Sequence, residues 1–141
     1  SLGKGAYLNN RRIRVSKRTE IKGSLLSNSS HNTETGYIRH DNISTFRALY
    51  SHGLTIRRTG STALDLANVA AGRLDGFWGS GLEDWDIAAG SLLVQEAGGL
   101  VSNYFGGMEL LGGGNIVAST TKCFKPMLQA IKPFAHIHEE G

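Results

Sequence analysis

The chain has 141 residues, the size of one ordinary globular domain, and its content of 40% apolar and 19% charged residues excludes a disordered chain and a membrane protein. The net charge of +3 is modest for a nucleic-acid-binding domain. Cys123 is the only cysteine, which excludes an internal disulfide and a cysteine-rich metal cage. No segment has the length and apolarity of a membrane span or secretion signal, so we expect a cytoplasmic protein with no membrane association.

The first part of the chain is predicted to form short strands and a loop. Its glycine-rich start predicts a hairpin that leads into a strand over residues 12–16. Basic residues alternate along this strand with Ile13 and Val15, which favours one solvated basic side. A second strand is predicted over 21–27, and residues 27–36, rich in Ser, Asn and Thr, predict a mobile loop.

Two helices are predicted in the middle of the chain. Residues 41–52 place apolar side chains at helical spacing after Asp41, a favourable N-cap. A brief strand over 55–57 follows. The second helix opens at Ser61 and ends at Gly72, and its apolar residues surround it almost completely, so we expect it to be buried.

The alternation of strands and helices continues to the end of the chain. The remaining elements are predicted as a strand over 75–78, a turn at 79–81, a helix over 85–96, strands over 100–102 and 115–119, and a last helix over 122–136 that Pro133 interrupts. This pattern predicts an α/β fold in which helices cover both faces of a sheet.

The start of the second helix is a candidate binding site. The free amides and partial positive charge of a helix N-terminus suit a phosphate or polyhydroxyl ligand, and a glycine such as Gly60 lets that ligand approach the backbone. Ser61 is equally suited to be an ordinary N-cap, and local pattern alone favours this second interpretation.

A second candidate lies where three carboxylates enter the third helix. Glu83, Asp84 and Asp86 provide the oxygen ligands that Mg²⁺ prefers, but acidic residues in a first helical turn also stabilise the helix dipole without a metal. Spacing leaves both interpretations open. The histidines form no metal-binding pair, no G-x-S-x-G turn is present, and Trp78 and Trp85 are expected to be packing residues.

Three motifs closely resemble the inositol monophosphatase family. They are G-S-T-A-L-D-L-A at residues 60–67, V-A-A-G-R-L-D-G-F-W at 69–78, and the run W-D-I-A-A-G…E-A-G-G that begins at Trp85 and ends at Gly99. The last run is similar to the C-terminal signature of the family. The resemblance extends over almost the whole chain and implies a layered α-β-α sandwich with a mixed, largely parallel sheet.

The resemblance implies a Mg²⁺-dependent, lithium-sensitive phosphatase in which metal ions activate a water and stabilise the leaving alkoxide. By resemblance, Asp86 is a metal ligand beside the substrate hydroxyls. Gly60, Ser61 and Thr62 match a segment that contacts the substrate ring. Arg57 matches a substrate-binding arginine, and Arg58 resembles a position in a homodimer interface.

Two departures from the family pattern qualify the resemblance. Many members carry a Glu where this chain has Gly79, and Glu83 is a hypothetical substitute for it. The family's upstream Glu motif and its D-P-x-D-G-T-x-N segment do not occur in this sequence. Members are roughly twice as long, and a two-metal hydrolase needs several converging carboxylates. We therefore expect residues 1–141 to be one domain, the C-terminal half of such an enzyme, without its N-terminal metal-binding half.

Several functions stay open at this stage. Hydrolysis of inositol 1-phosphate to inositol and phosphate is the first expectation, and a sugar-bisphosphate or nucleotide phosphatase is a variant of it. Some bacterial members resembling this chain act in transcription antitermination, so an RNA-associated or transcription-machinery-binding module is the alternative. The basic segment from Arg11 to Arg18 would then make those contacts.

Overall fold

The computed structural model describes residues 6–8, 11–30, 38–112 and 114–137. The strands are β1 (Ala6–Leu8), β2 (Arg11–Ile13), β3 (Leu25–Ser30), β4 (Ile38–His40), β5 (Thr55–Arg57), β6 (Gly76–Ser80), β7 (Leu100–Ser102), β8 (Ile116–Ser119) and β9 (Ala135–Ile137). The helices are α1 (Asn42–Tyr50), α2 (Thr62–Ala70), α3 (Asp84–Glu96) and α4 (Thr121–Ile131). None of the described helices is long and apolar enough to cross a membrane.

The main sheet has the strand order β5-β3-β6-β8-β7. Strand β3 is parallel to both β5 and β6, whereas β8 is antiparallel to both β6 and β7. Four strands therefore point in one direction and β8 alone opposes them. The predicted α/β fold with a mixed, largely parallel sheet is confirmed.

The sheet separates two hydrophobic clusters. Helices α2 and α3 cover one face, where Leu66, Ile87 and Phe77 belong to the same cluster. Helices α1 and α4 cover the other face, where Leu49 and Trp78 are buried together. Because successive side chains of a strand point to opposite faces, the neighbours Phe77 and Trp78 lie in different clusters. The expected α-β-α layering is confirmed.

The prediction of a loop over residues 27–36 is wrong for residues 27–30, because β3 continues to Ser30 as an interior strand of the sheet. Its polar side chains are buried but have partners. The Ser27 hydroxyl donates to Asp65 at 2.9 Å, and the Asn28 amide donates to the backbone oxygen of Trp78 at 3.0 Å. Residues 31–36 of the predicted loop lie outside the described ranges.

Both ends of the chain form small antiparallel pairs. The predicted hairpin is confirmed as β1 paired with β2. Ile13 and Val15 pack against the core, whereas the alternating Arg12 and Arg14 are exposed. The predicted last helix is too long. It ends at Ile131, a 3₁₀ turn follows over Lys132–Phe134, and β9 then pairs with β4. Strand β6 also extends through the predicted turn as far as Ser80.

Candidate functional site

The candidate residues are brought together by the topology of the sheet. Strands β3, β5 and β6 are parallel, so their carboxyl ends lie at one edge. Helix α2 follows β5 and helix α3 follows β6, which places both helix N-termini at this carboxyl edge. Arg57 ends β5, Gly60, Ser61 and Thr62 open α2, and Asp86 lies in the first turn of α3.

The start of α2 has the geometry of both a cap and an anion site. The Ser61 hydroxyl accepts a hydrogen bond from the Leu64 amide at 3.3 Å, so the predicted N-cap is confirmed. The backbone amides of Thr62 and Ala63 donate no hydrogen bond to any described residue. Gly60 adopts φ +83° and has open space where a side chain would stand. A negatively charged group therefore has backbone donors available here.

Asp65 holds this segment in place, a role that the sequence did not reveal. Its carboxylate is fully buried and accepts hydrogen bonds from the hydroxyls of Thr59 at 2.7 Å and Ser27 at 2.9 Å. The Ser61 amide in turn donates to the Thr59 hydroxyl at 3.4 Å. The available signal in the sequence was a single carboxylate among the mainly apolar residues of this helix.

The three carboxylates at the start of α3 have separate roles. Asp84 accepts a hydrogen bond from the Gly112 amide at 2.9 Å, which connects the start of α3 to a segment distant in sequence. Glu83 is the N-cap residue but makes no side-chain cap bond, and it is exposed. Asp86 is half-buried, and no side-chain hydrogen bond joins it to the described part of the chain. The described residues contain no group of three His, Cys, Asp or Glu that would hold a metal.

The described carboxylates at this edge of the sheet provide one ligand for a Mg²⁺ ion but do not form a complete Mg²⁺ site. Asp86 offers a carboxylate that no described residue engages, and carboxylate oxygen is the ligand that Mg²⁺ prefers. Asp84 is already used by the Gly112 amide. A functional site therefore requires further carboxylates from outside the described residues.

Gly79 is confined by its neighbours in the sheet. A Cβ atom there would lie 2.5 Å from the Ser29 backbone oxygen and 2.9 Å from the Phe77 ring. A glutamate does not fit at this position in the observed arrangement. The exposed Glu83 is the first carboxylate along the chain after Gly79. The hypothesis that Glu83 takes the place of the family's Glu therefore stays open.

The two tryptophans have opposite environments. Trp78 is fully buried, and its indole Nε1 donates to Asn42 Oδ1 at 3.2 Å. Trp85 is 69% exposed, so the expectation that it is a packing residue is wrong for the described part of the chain. The expected burial of α2 is also only half correct, because Leu64 on its outer side is 54% exposed.

Three residues outside the candidate site have shifted pKa values. Burial lowers the pKa of His40 from 6.5 to about 4, against a smaller opposing effect of Asp41. Hydrogen bonds from Ser44 lower the pKa of Asp41, the N-cap of α1. Burial raises the pKa of the Cys123 thiol, which makes this residue a poor nucleophile.

The sequence model of the inositol monophosphatase family matches residues 1–135. The chain therefore belongs to the inositol monophosphatase family, as its motifs indicated. Among curated relatives, the Nus factor SuhB of Pseudomonas aeruginosa is 52% identical over 134 residues, which cover 94% of this chain and 49% of the relative. The inositol-1-monophosphatase of Mesorhizobium japonicum is 43% identical over 131 residues, which cover 92% of this chain and 48% of the relative.

Solved structures agree with this placement. The extragenic suppressor protein suhB from Bartonella henselae superposes with a TM-score of 0.83 at 37% identity, covering 92% of this chain and 49% of that one. The inositol monophosphatase from Anabaena superposes with a TM-score of 0.80 at 37% identity, covering 92% and 53%. The chain thus spans about half the length of the curated relatives it matches.

Proposed function

We propose that this chain is the C-terminal half of a Mg²⁺-dependent phosphomonoesterase whose complete form converts inositol 1-phosphate to inositol and phosphate. The observation that carries the proposal is the carboxyl edge of the sheet. There, an Asp86 carboxylate that no described residue engages shares one edge with the available amides at the start of α2. A phosphate ester of a polyol matches both features, since it needs anion donors and a metal ligand.

Each residue at this edge has a proposed role. The Thr62 amide, with the backbone at Gly60 and the Ser61 hydroxyl, binds the substrate, and the exposed Arg57 guanidinium attracts its phosphate. Asp86 holds Mg²⁺ together with carboxylates from a second, N-terminal metal-binding half. When bound, Mg²⁺ supplies water activation and charge stabilisation for phosphate release.

The remaining proposals follow from family membership. Residues 1–141 form one domain of a cytoplasmic enzyme that is inhibited by lithium and forms a homodimer near the exposed Arg58. Because the family's usual Glu is absent at Gly79, sugar bisphosphates and nucleotide monophosphates belong among the substrates to be tested.

The proposal is tested with a chimera that joins this chain to the half of the Pseudomonas aeruginosa relative outside the matched 134 residues. We expect Mg²⁺-dependent phosphate release from inositol 1-phosphate, and the variant Asp86→Asn should lower it by at least about 100-fold. Glu109→Gln, at an exposed position, is the matched control. A folded chimera that releases phosphate from no inositol, sugar or nucleotide phosphate would refute the proposal.

Glu83 is tested separately in the same chimera. If its exposed carboxylate binds a substrate hydroxyl, Glu83→Gln should raise KM and leave kcat nearly unchanged, because only ground-state binding is lost. An unchanged KM would exclude this role while leaving the phosphatase proposal intact.

A second candidate function is a contact with the transcription machinery. It is supported by the relatives named Nus factor SuhB and by the exposed basic residues Arg12, Arg14 and Lys17. Salt-sensitive RNA binding by Asp86→Asn that is lost on Arg12/Arg14→Ala would favour it, whereas binding unaffected by the arginine changes would exclude this surface.

A further inference from the structure

The short segment that leads from β5 into α2 is not held in place by packing. We call residues 58–61 the α2 entry segment. Its residues 58–60 are all exposed. At Gly60, where φ is +83°, no heavy atom lies within 4 Å of the position that a Cβ would take. Glycine has more backbone freedom to lose than any other residue, so the conformation of this segment has to be fixed by hydrogen bonds.

Consecutive hydrogen bonds run along the α2 entry segment and fix its conformation. The Thr59 hydroxyl donates to Asp65 Oδ1 at 2.7 Å. Because a hydroxyl has one proton, Thr59 can only accept from the Ser61 amide, which lies 3.4 Å away. The Ser61 hydroxyl then accepts from the Leu64 amide at 3.3 Å. The direction of the whole chain of bonds is therefore set by the acceptor at its end, the carboxylate of Asp65.

Asp65 is itself anchored to the sheet. Its side chain is fully buried, and its second oxygen, Oδ2, accepts from the Ser27 hydroxyl at 2.9 Å. Ser27 lies on β3 directly opposite Arg57, the last residue of β5. The carboxylate thus connects the strand beside β5 to Thr59, two residues beyond the end of β5. Each of its oxygens serves one of these two connections.

This arrangement decides which amides remain available at the start of α2. The amides of Ser61 and Leu64 are used by the bonds along the segment. The amides of Thr62 and Ala63 donate to no described residue. A ligand that accepts from these two amides meets donors that are already ordered, so binding does not have to order the segment first.

We propose that Asp65, acting through Thr59, is a positioning residue for substrate binding. This role rests on the proposed function, which assigns the start of α2 to the substrate. Neither Asp65 nor Thr59 is required to touch the substrate or the metal. The loss of their hydrogen bond frees the α2 entry segment equally before and during the reaction, so it should weaken binding and leave the chemical step unchanged.

The first test compares threonine variants in the chimera. Thr59→Val keeps the shape of the side chain but removes the hydroxyl. It should raise KM for inositol 1-phosphate at least about fivefold, with kcat within about twofold, because the freed segment has to be ordered on binding. Thr59→Ser keeps the hydroxyl and should restore KM. Unchanged KM in Thr59→Val would overturn the proposal.

Thr45→Val is the matched control for a general loss of stability. It is the same substitution at a fully buried hydroxyl on the other face of the sheet, where Thr45 donates to the Ala130 backbone oxygen at 3.0 Å. We expect it to lower stability and leave KM unchanged. If Thr45→Val raised KM as much as Thr59→Val, the effect would be a loss of stability and the positioning role would be refuted.

A double-mutant cycle tests whether Asp65 acts through Thr59. Asp65→Ala should raise KM, and adding Thr59→Val to it should raise KM no further, because the two residues share one hydrogen bond. Increases that multiply would show independent roles and overturn the proposal. If Asp65→Ala does not fold, the Thr59 variants decide the question alone.

Nuclear magnetic resonance of the 141-residue chain separates this role from the phosphatase proposal. The ¹⁵N order parameter of Gly60 should fall from about 0.85 to below about 0.6 in Thr59→Val, the change from a rigid to a flexible backbone. Gly53, also exposed with positive φ, is the control, since its amide donates to the Tyr50 oxygen and should stay ordered. A Gly60 that stays rigid in Thr59→Val overturns the proposal even if the chimera is an active phosphatase.

Titration with inorganic phosphate completes the comparison. Phosphate should shift the amide resonances of Thr62 and Ala63, with an affinity at least about fivefold lower in Thr59→Val than in the parent chain. These results in a chain whose chimera releases no phosphate would support the positioning role and refute only the enzyme. Equal phosphate affinities in the two chains would refute the positioning role.

Discussion

Gly90 of α3 lies directly against Leu66 of α2, and no space for a side chain remains between them. A Cβ atom on Gly90 would lie 2.8 Å from Leu66 Cβ and 3.0 Å from Leu66 Cγ. This contact fixes the distance between two helices that begin at the candidate site, where Ser61 is the N-cap of α2 and Asp86 lies in the first turn of α3. The spacing of the candidate site is therefore set by packing in the middle of the helices.

The variant Gly90→Ala tests this packing, because helix propensity and steric overlap predict changes of opposite sign in the free energy of unfolding. Helix propensity alone predicts stabilisation by up to about 1 kcal/mol, whereas overpacking predicts destabilisation by about 1–3 kcal/mol. We expect destabilisation in urea unfolding. Ala89→Ser, which adds one atom on the exposed side of α3, should change the free energy of unfolding little. A more stable Gly90→Ala protein would contradict the observed contact.

Gly79→Ala should destabilise the sheet. The added methyl group would meet the Ser29 backbone oxygen, which cannot move without shifting β3, so we expect a loss of about 2 kcal/mol or more. Gly60→Ala is the comparison, because Gly60 has φ +83° but open space and should lose only about 1 kcal/mol through strain. If thermal or urea unfolding showed the same loss of stability for both variants, the residues around Gly79 would have to move to make room for the added methyl group.

Asp65→Ala should destabilise the chain by about 2–4 kcal/mol, since it leaves the buried Ser27 hydroxyl and the Thr59 hydroxyl without their acceptor. The exposed Asp84, which accepts one bond from Gly112, provides the comparison. Asp84→Ala should cost less than about 1 kcal/mol. Denaturant unfolding of both variants ranks the two carboxylates, and a smaller loss for Asp65→Ala would contradict the assigned network.

Stability should fall as pH decreases from 6.5 toward 4 because of His40. Its Nε2 lies 2.7 Å from the Thr45 hydroxyl, which itself donates to the Ala130 oxygen, so Nε2 carries the proton and donates. Nδ1 is buried without a partner among the described residues. Burial lowers the pKa of His40 to about 4, so the unfolded chain takes up the proton first and the loss develops between these two values.

The loss attributable to His40 is at most about 3 kcal/mol, the equivalent of the pKa shift. His40→Gln should flatten the pH dependence of unfolding in this window. His52→Gln, at an exposed position in the turn after α1, should leave it unchanged. An unaltered slope in His40→Gln would assign the acid sensitivity to other groups.

Strand β3 shows where prediction from sequence failed. Ser27 and Asn28 have the composition of a loop, yet they lie in the interior of the sheet. Their partners, Asp65 and Trp78, are 38 and 50 residues away, so no local window contains the hydrogen bonds that make these polar residues compatible with burial. By contrast, the caps at Asp41 and Ser61 were predictable because their bonds are local.

The candidate site was predictable in part. The motifs indicated Ser61 and Asp86, and the α/β alternation indicated a sheet with helices on both faces. The supporting role of Asp65 and the engagement of Asp84 by Gly112 depend on contacts between distant segments. The exposure of Trp85 was missed for a different reason: apolar residues on both sides of a helix indicate burial, and the described chain covers only one side.

The division of the apolar residues by the sheet has a consequence for how this chain tolerates change. Phe77 and Trp78 are neighbours in sequence but belong to clusters on opposite faces, with no shared packing partners among the described core residues. Substitutions in the two clusters should therefore have nearly additive effects on stability, as is usual for sites without common contacts. Stabilising substitutions in the layer of α1 and α4 should then offset destabilising substitutions in the layer of α2 and α3, which carries the candidate site.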